Sequence, residues 1–156
     1  MSYLPLALSI LLALAAGAIG SVATMSEIPT WYAALAKPSF SPPNWIFGPV
    51  WTTLYILMGT AAWLVWKADA VRTAKRRALL VYALQLALNT LWSFIFFGMH
   101  ALGFALVEIV LLWLAIAATI YLFYPISRTA SYLLAPYIAW VSFASFLNYT
   151  LWAMNQ

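Results

Sequence analysis

Apolar residues run through this chain in long stretches, and the segments between the stretches hold all but one of its charged residues. A helix needs about 20 mostly apolar residues to cross a bilayer. Five stretches reach this length, at residues 4–24, 44–66, 78–98, 102–124 and 132–154. The pattern predicts an all-α, polytopic membrane protein, a bundle of five transmembrane helices that forms a single domain over residues 1–156.

Composition excludes a soluble globular protein. Apolar residues make up 67% of the chain and charged residues 6%, with a mean hydropathy of +0.96, whereas soluble domains are about 25% charged. The seven basic residues outnumber the three acidic ones, but they lie beside apolar stretches, which indicates membrane orientation rather than nucleic-acid binding. Without cysteine and with a single histidine, the chain is expected to hold no metal site and no resident cofactor within one protomer.

The first apolar stretch could be a cleaved signal peptide or a true first helix. Residues 1–9 contain no Lys or Arg, so the positive region that precedes a signal sequence is missing, and a true helix is predicted. Its small residues recur at helical spacing and would allow a neighbouring helix to approach closely. They are Ala13, Ala16, Gly17, Gly20 and Ser21.

The basic residues predict an orientation. Cytoplasmic loops of membrane proteins are enriched in Lys and Arg. If the second connection is cytoplasmic, six basic residues lie inside and one outside, which places the N-terminus inside and the C-terminus outside. The inside residues are Lys67, Arg72, Lys75, Arg76, Arg77 and Arg128, and the outside residue is Lys37.

The first connection, "SEIPTWYAALAKPSFSPP", is long and aromatic. Pro29 is expected to open a short helix and Pro38 to end it, with Trp31 and Leu35 on one face. Such a segment can anchor the chain at the membrane surface, as interfacial aromatic residues often do. Alternatively, it can fold over the bundle as a lid.

Polar side chains inside the spans are few. Glu108 is interpreted as a carboxylate near the surface that bonds a neighbouring helix, in preference to a proton relay. Amides within spans commonly join helices, but beside indole rings they also suit a flat ligand with polar edges. Three helices each carry rings or amides along one face, and these faces are predicted to converge on one pocket. They are formed by Phe47, Trp51 and Tyr55 in the second helix, by Gln85, Asn89, Trp92 and Phe96 in the third, and by Trp140, Ala144, Leu147 and Asn148 in the fifth.

Three blocks resemble the signature segments of the TspO/MBR family, the family of tryptophan-rich sensory proteins and translocator proteins. They are "WYAALAKPSFSPPNWIFGPVWTTLY", "QLALNTLWSFIFFG" and "PYIAWVSFASFLNYTLW", and they occur in the family's order. The resemblance covers almost the whole chain. It implies a five-helix bundle, commonly a homodimer, that binds porphyrins, other tetrapyrroles and benzodiazepine-type ligands.

Carried over position by position, the resemblance implies a ligand pocket open toward the first connection. The implied ligand-binding residues are Trp31, Tyr32, Phe47, Gly48, Val50, Trp51, Asn89, Phe104, Val107, Leu111, Trp140, Ala144 and Leu147. Trp51 and Trp140 resemble the pair of rings tied to photochemistry in the family. The last helix has Leu147 and Tyr149 but no basic residue after them, so the sterol motif of some animal members is incomplete. The resemblance therefore implies a bacterial-type member rather than one specific for cholesterol, in a bacterial membrane, with inner or outer left open.

The resemblance leaves three functions open. The first is a receptor or carrier for tetrapyrroles, with a role in transport or stress regulation. The second is an enzyme that degrades porphyrin in light through Trp51 and Trp140, since no acid–base pair supports ordinary catalysis. The third is a regulator that handles sterol or lipid, or signals to a partner through Lys75 to Arg77. A dimer contact is suggested by Ala83 and Ala87, a pair that permits close packing.

Overall fold

The computed structural model describes residues 2–156, and this part of the chain forms helices and no strand. Five helical spans are long and apolar enough to cross a membrane, which confirms the predicted fold class. The third span ends in a π-helical turn, and the fifth is interrupted at Leu134. The helices are Leu4–Thr24 (α1), Phe47–Lys67 (α2, preceded by the turn Asn44–Ile46), Arg72–Ser93 (α3, followed by the turn Phe94–Gly98), Leu102–Phe123 (α4), Arg128–Leu133 (α5) and Ala135–Met154 (α6).

The largest boundary difference lies at the start of α3, which begins at Arg72 rather than at residue 78. The basic residues of the second connection therefore belong to the first turns of a helix, because Arg and Lys are good helix formers. Only residues 68–71 remain as a connection between α2 and α3. In the fifth span, Pro136 stands in the first turn of α6, where its missing N–H has no helical partner to lose.

The helices form an incomplete ring. α1 packs against α2 and α3, α3 packs against α4, and α4 packs against α6. On the remaining side, α2 packs against the short helix α5 and hardly touches α6. The bundle is thus closed between α2 and α6 mainly by side chains rather than by helix–helix packing.

The small residues of α1 do allow close approach, as predicted. The Ser9 hydroxyl donates a hydrogen bond to the carbonyl of Gly59 on α2 at 2.7 Å. On the other side, the Thr90 hydroxyl of α3 donates to the carbonyl of Ala16 at 3.0 Å. Side chain to backbone contacts of this kind require that the helices lie nearly backbone to backbone. The first apolar stretch is therefore an integral helix of the bundle.

The interpretation of Glu108 as a hydrogen-bonded carboxylate near the surface is wrong. Its side chain is 5% exposed, and neither carboxylate oxygen has a hydrogen-bond partner among residues 2–156. The reason is the rotation of α4, which turns Ala105, Glu108 and Leu112 toward the interior of the bundle. Position along the sequence placed Glu108 near the end of a helix, but burial depends on the face it occupies.

Candidate functional site

A cavity of about 520 Å³ lies inside the bundle, between α1, α2, α3, α4 and α6. This size is typical of small-molecule sites, which range from about 300 to 1,000 Å³. Its walls are mainly apolar and unusually rich in rings. The aromatic lining residues are Tyr32, Trp45, Phe47, Trp51, Tyr55, Trp92, Phe96, Phe97 and Trp140.

The first connection covers one end of this cavity. We call residues 25–43 the lid. Its helical turn starts at Ile28, just before Pro29, and places Ile28 and Tyr32 in the cavity wall. Burial raises the pKa of the Tyr32 hydroxyl, so this group stays neutral. Of the two interpretations of the connection, the structure shows the one in which it folds over the bundle.

Two sets of polar contacts fasten the lid. Glu27 pairs with the His100 Nε2 atom at 2.8 Å, and Trp31 stacks on the same imidazole. At the other end, the side-chain amide of Asn155 accepts from the Ala36 N–H and donates to the Ala36 carbonyl, both at 3.0 Å. These contacts tie the lid to the α3–α4 connection and to the end of α6.

A chain of hydrogen bonds forms the polar side of the cavity. The Tyr55 hydroxyl donates to Asn89 Oδ1, Asn89 Nδ2 donates to the Tyr137 oxygen, and the Tyr137 hydroxyl donates to Gln85 Oε1. Each distance is 2.7 Å and all four side chains are buried. Tyr55 and Asn89 also line the cavity. The amides of α3 thus join helices and at the same time offer polar groups beside the rings.

A second polar contact fixes one of the rings. The Trp92 Nε1 atom donates to Asn148 Oδ1 at 3.0 Å, and Asn148 Nδ2 donates to the Leu102 carbonyl at 3.0 Å. Trp92 and Asn148 both line the cavity. The indole is consequently held in place by α6 and α4.

The structure brings most of the predicted site residues together around the cavity. They come from the lid and from three helices, as the convergence of the stripes predicts. Contact of these residues with a ligand stays a prediction. The residues in the wall are Tyr32, Phe47, Gly48, Trp51, Asn89, Trp140, Ala144 and Leu147.

The structure does not place the other predicted residues in the cavity. Trp31 packs behind the wall, on His100 and Phe96, and Val50 lines a groove on the outer surface. Phe104, Val107 and Leu111 are 74%, 63% and 52% exposed on the outside of α4. Ile109 and Leu112 line the cavity instead, because α4 is turned by roughly one residue step relative to the carry-over.

Several lining residues were absent from the ligand-binding set that the resemblance implies. Tyr55, Trp92, Phe96 and Asn148 lie on the predicted stripes, four residues from a predicted neighbour or on the same face, so helical spacing identifies them. On α1, the lining residues Gly17 and Ser21 were predicted only as members of a packing stripe, and Thr24 was not predicted at all. Small residues at helix spacing predict close approach and do not show whether a helix or a cavity lies opposite.

Comparison with known proteins agrees with the fold. The model of the TspO/MBR family matches residues 9–153. The tryptophan-rich protein TspO of Chlorobaculum tepidum is 47% identical over 156 residues, covering 97% of this chain and 96% of the relative. The tryptophan-rich protein TspO of Archaeoglobus fulgidus is 43% identical over 155 residues, covering 99% of each. The Homo sapiens translocator protein is 46% identical over 139 residues, covering 88% and 82%.

Proposed function

Since the chain belongs to the TspO/MBR family, we propose that this integral membrane protein is a receptor or carrier that binds porphyrins and related tetrapyrroles. Its relatives are named for translocation and for sensing, so the choice of ligand rests on the cavity. The observation that carries the proposal is a cavity of about 520 Å³ walled by aromatic rings from the lid, α2, α3 and α6.

Flat aromatic ligands suit this wall. Trp51 lies on α2 next to Tyr55 and at a right-angle contact to Tyr137, with ring centres 5.7 and 6.3 Å apart. Trp140 faces the same space from α6 beside Phe47. Ring pairs contribute about 0.5–1.5 kcal/mol beyond the area that they bury. A macrocycle between Trp51 and Trp140 would exchange water or lipid for two indole contacts.

A charged group stands at the lid side of the cavity. The Lys37 ammonium lies 4.8 Å from the centre of the Tyr32 ring and donates to the carbonyls of Ala33 and Leu35. Every other Lys and Arg lies at or beyond residue 67, in the second and fourth connections or the adjoining helix turns. We therefore propose that Lys37 pairs with the carboxylate groups that many tetrapyrroles carry. Its ammonium has three donors, and only two of them are used here.

Binding of protoporphyrin to the purified protein in detergent tests the proposal. Trp51→Ala should weaken binding about tenfold, the equivalent of about 1.4 kcal/mol. The matched control is Trp66→Ala, since Trp66 is exposed at the end of α2, away from the cavity. Affinity should be followed through porphyrin absorbance rather than protein fluorescence, because both variants remove a tryptophan. Equal affinities of the two variants would contradict a site at Trp51.

Binding of protoporphyrin dimethyl ester distinguishes the contribution of Lys37 from that of the aromatic wall. Lys37→Gln should weaken binding of the diacid and leave binding of the ester unchanged, because the ester has no carboxylate to pair. Trp51→Ala should weaken both. If Lys37→Gln affects neither ligand, the assignment of Lys37 is wrong while the ring-walled site stands.

Light-dependent breakdown of bound porphyrin is a second candidate function. The observation in its favour is that Trp51 and Trp140 both line the same cavity, so one bound macrocycle could contact both indoles. Loss of porphyrin should then require illumination and should slow in Trp51→Phe and Trp140→Phe proteins. If porphyrin is lost equally fast in light with the wild-type and the variant proteins, the two indoles do not take part in its breakdown, and binding alone remains as the function.

A further inference from the structure

A groove on the outer surface lies between α2 and α6, and Trp140 belongs to its wall as well as to the wall of the cavity. The remaining walls include Val50 and Leu57 on α2 and Ala139 and Phe143 on α6. Apart from the Trp140 indole, only Thr53 brings a side-chain polar group, and its hydroxyl donates to the Pro49 carbonyl at 2.8 Å. The groove therefore faces the acyl chains of the membrane with a surface that is apolar apart from the Trp140 indole N–H.

Side chains alone separate the groove from the cavity, because α2 and α6 hardly touch. Three rings form the partition. Phe47 and Trp140 meet at a ring-centre distance of 6.1 Å, and Trp140 and Phe143 meet at 5.5 Å. Phe47 lines the cavity and Phe143 lines the groove. Among residues 2–156, Trp140 is the residue whose side chain lines both spaces.

The indole of Trp140 is not fixed by a hydrogen bond. Its Nε1 atom is buried and has no partner among residues 2–156. The indoles of Trp92 and Trp113, by contrast, donate to Asn148 at 3.0 Å and to Ser142 at 2.8 Å. A buried donor without a partner costs about 1–3 kcal/mol. The Trp140 ring thus loses no hydrogen bond when it turns, whereas Trp92 and Trp113 would.

We propose that the groove between α2 and α6 is a membrane-side binding site through which the ligand reaches the cavity, with Trp140 as the gate. The inference rests on the proposed function, which supplies the occupant, a flat and largely apolar tetrapyrrole dissolved in the bilayer. Such a ligand gains little by crossing water to reach the lid, because its apolar surface prefers the acyl chains. Because Trp140 lines both spaces, its side chain is the point at which a ligand in the groove adjoins the cavity.

Filling the groove tests this route. Ala139 is exposed, lines the groove and is absent from the cavity wall. Ala139→Phe should slow both association and dissociation of protoporphyrin in liposomes by about tenfold, with the equilibrium affinity unchanged, because it obstructs the route and not the bound state. The matched control is Ala153→Phe, an exposed alanine of the same helix that lines neither space.

A second variant keeps the test decisive if Ala139→Phe does not fold. Val50→Phe fills the same groove from α2 and should slow both rates in the same way. If Ala139→Phe or Val50→Phe protein binds and releases the ligand at wild-type rates, the ligand takes another path and the gate is refuted. Absence of binding to the wild-type protein would instead overturn the proposed function.

Discussion

The indole of Trp31 lies flat against the imidazole of His100, with ring centres 4.3 Å apart and planes within 4° of parallel. His100 adopts a left-handed backbone conformation with φ of 54°, which places its ring between Trp31 and the Glu27 carboxylate. Trp31, which the resemblance implies as a ligand contact, therefore fastens the lid instead. Trp31 supports the site from behind while its neighbour Tyr32 lines the cavity.

Removing the His100 ring should loosen the lid. His100→Asn is the suitable change, because Asn also tolerates the left-handed conformation. The exposed contact between the His100 ring and the Glu27 carboxylate contributes about 0.2–1 kcal/mol, and a ring pair contributes about 0.5–1.5 kcal/mol. Together they amount to about 0.7–2.5 kcal/mol, so their loss should raise the population of the opened lid about threefold to seventyfold. Amide hydrogen exchange of residues 28–37 measures this opening.

Met99→Ala is the control for the lid prediction, since Met99 is an exposed neighbour of His100. The Met99→Ala protein should show the same amide exchange rates in the lid as the wild-type protein. Unchanged exchange in His100→Asn protein would show that packing of Tyr32 on Phe96 and Phe97 holds the lid without the stack.

The hydrogen-bond chain through Tyr137 should stabilise the bundle. Tyr137→Phe removes an acceptor for Asn89 and a donor to Gln85, and it leaves both buried amides without these partners. We expect unfolding in detergent to become easier by about 1–3 kcal/mol. Tyr149→Phe, at an exposed position of the same helix, should have little effect. Equal stability of the two variants would mean that water replaces the lost hydroxyl.

Close packing of α1 on α2 depends on Gly59. A methyl group added there would lie 2.5 Å from the Cα atom of Ile10, and it would also disturb the Ser9 hydrogen bond to the Gly59 carbonyl. Gly59→Ala should therefore destabilise the protein by about 1–3 kcal/mol, as overpacking does. At Gly48 nothing lies within 4 Å of an added methyl, so Gly48→Ala should be tolerated. Thermal unfolding of the two variants measures this difference in stability, and equal stability would contradict the tight packing at Gly59.

Length and hydropathy were sufficient to predict the spans, because the membrane sets a fixed minimum for an apolar helix. The boundary of α3 was missed, since Arg72 to Arg77 break the hydropathy pattern without breaking the helix. In the lid, too, the sequence predicts the helix but not the direction in which each side chain points. Pro29 and the ring spacing predict a short helix, but only the fold shows that Tyr32 points into the cavity while Trp31 packs on His100.

The faces of α4 were not marked by a stripe of polar residues. Glu108 and Thr119 are its polar residues and both are buried, so Glu108 was the one charged group that could have indicated the inward face. Phe104, Val107 and Leu111 are consequently outside, and Ile109 and Leu112 line the cavity. α2, α3 and α6 carry amides, hydroxyls and rings at helical spacing, and there the predicted faces agree with the cavity wall.

The exposed pair on α3 yields a prediction for assembly. Ala83 and Ala87 both lie on the outer surface of the protomer, so they do not pack within the chain. If they form the expected homodimer contact, Ala83→Leu with Ala87→Leu should lower the crosslinked dimer fraction in native membranes, because small residues permit the close approach. Ala7→Leu, at an exposed position of α1, is the control. An unchanged dimer fraction would place the contact elsewhere.

Filling the cavity tests the central claim most directly. Ala144 lines the cavity on α6, whereas Ala7 is exposed on α1 and lines neither cavity nor groove. Calorimetric titration with protoporphyrin should give one site per protomer for the wild-type and Ala7→Trp proteins and no detectable site for folded Ala144→Trp protein. Wild-type affinity and stoichiometry in Ala144→Trp protein would contradict a ligand site inside the ring-walled cavity.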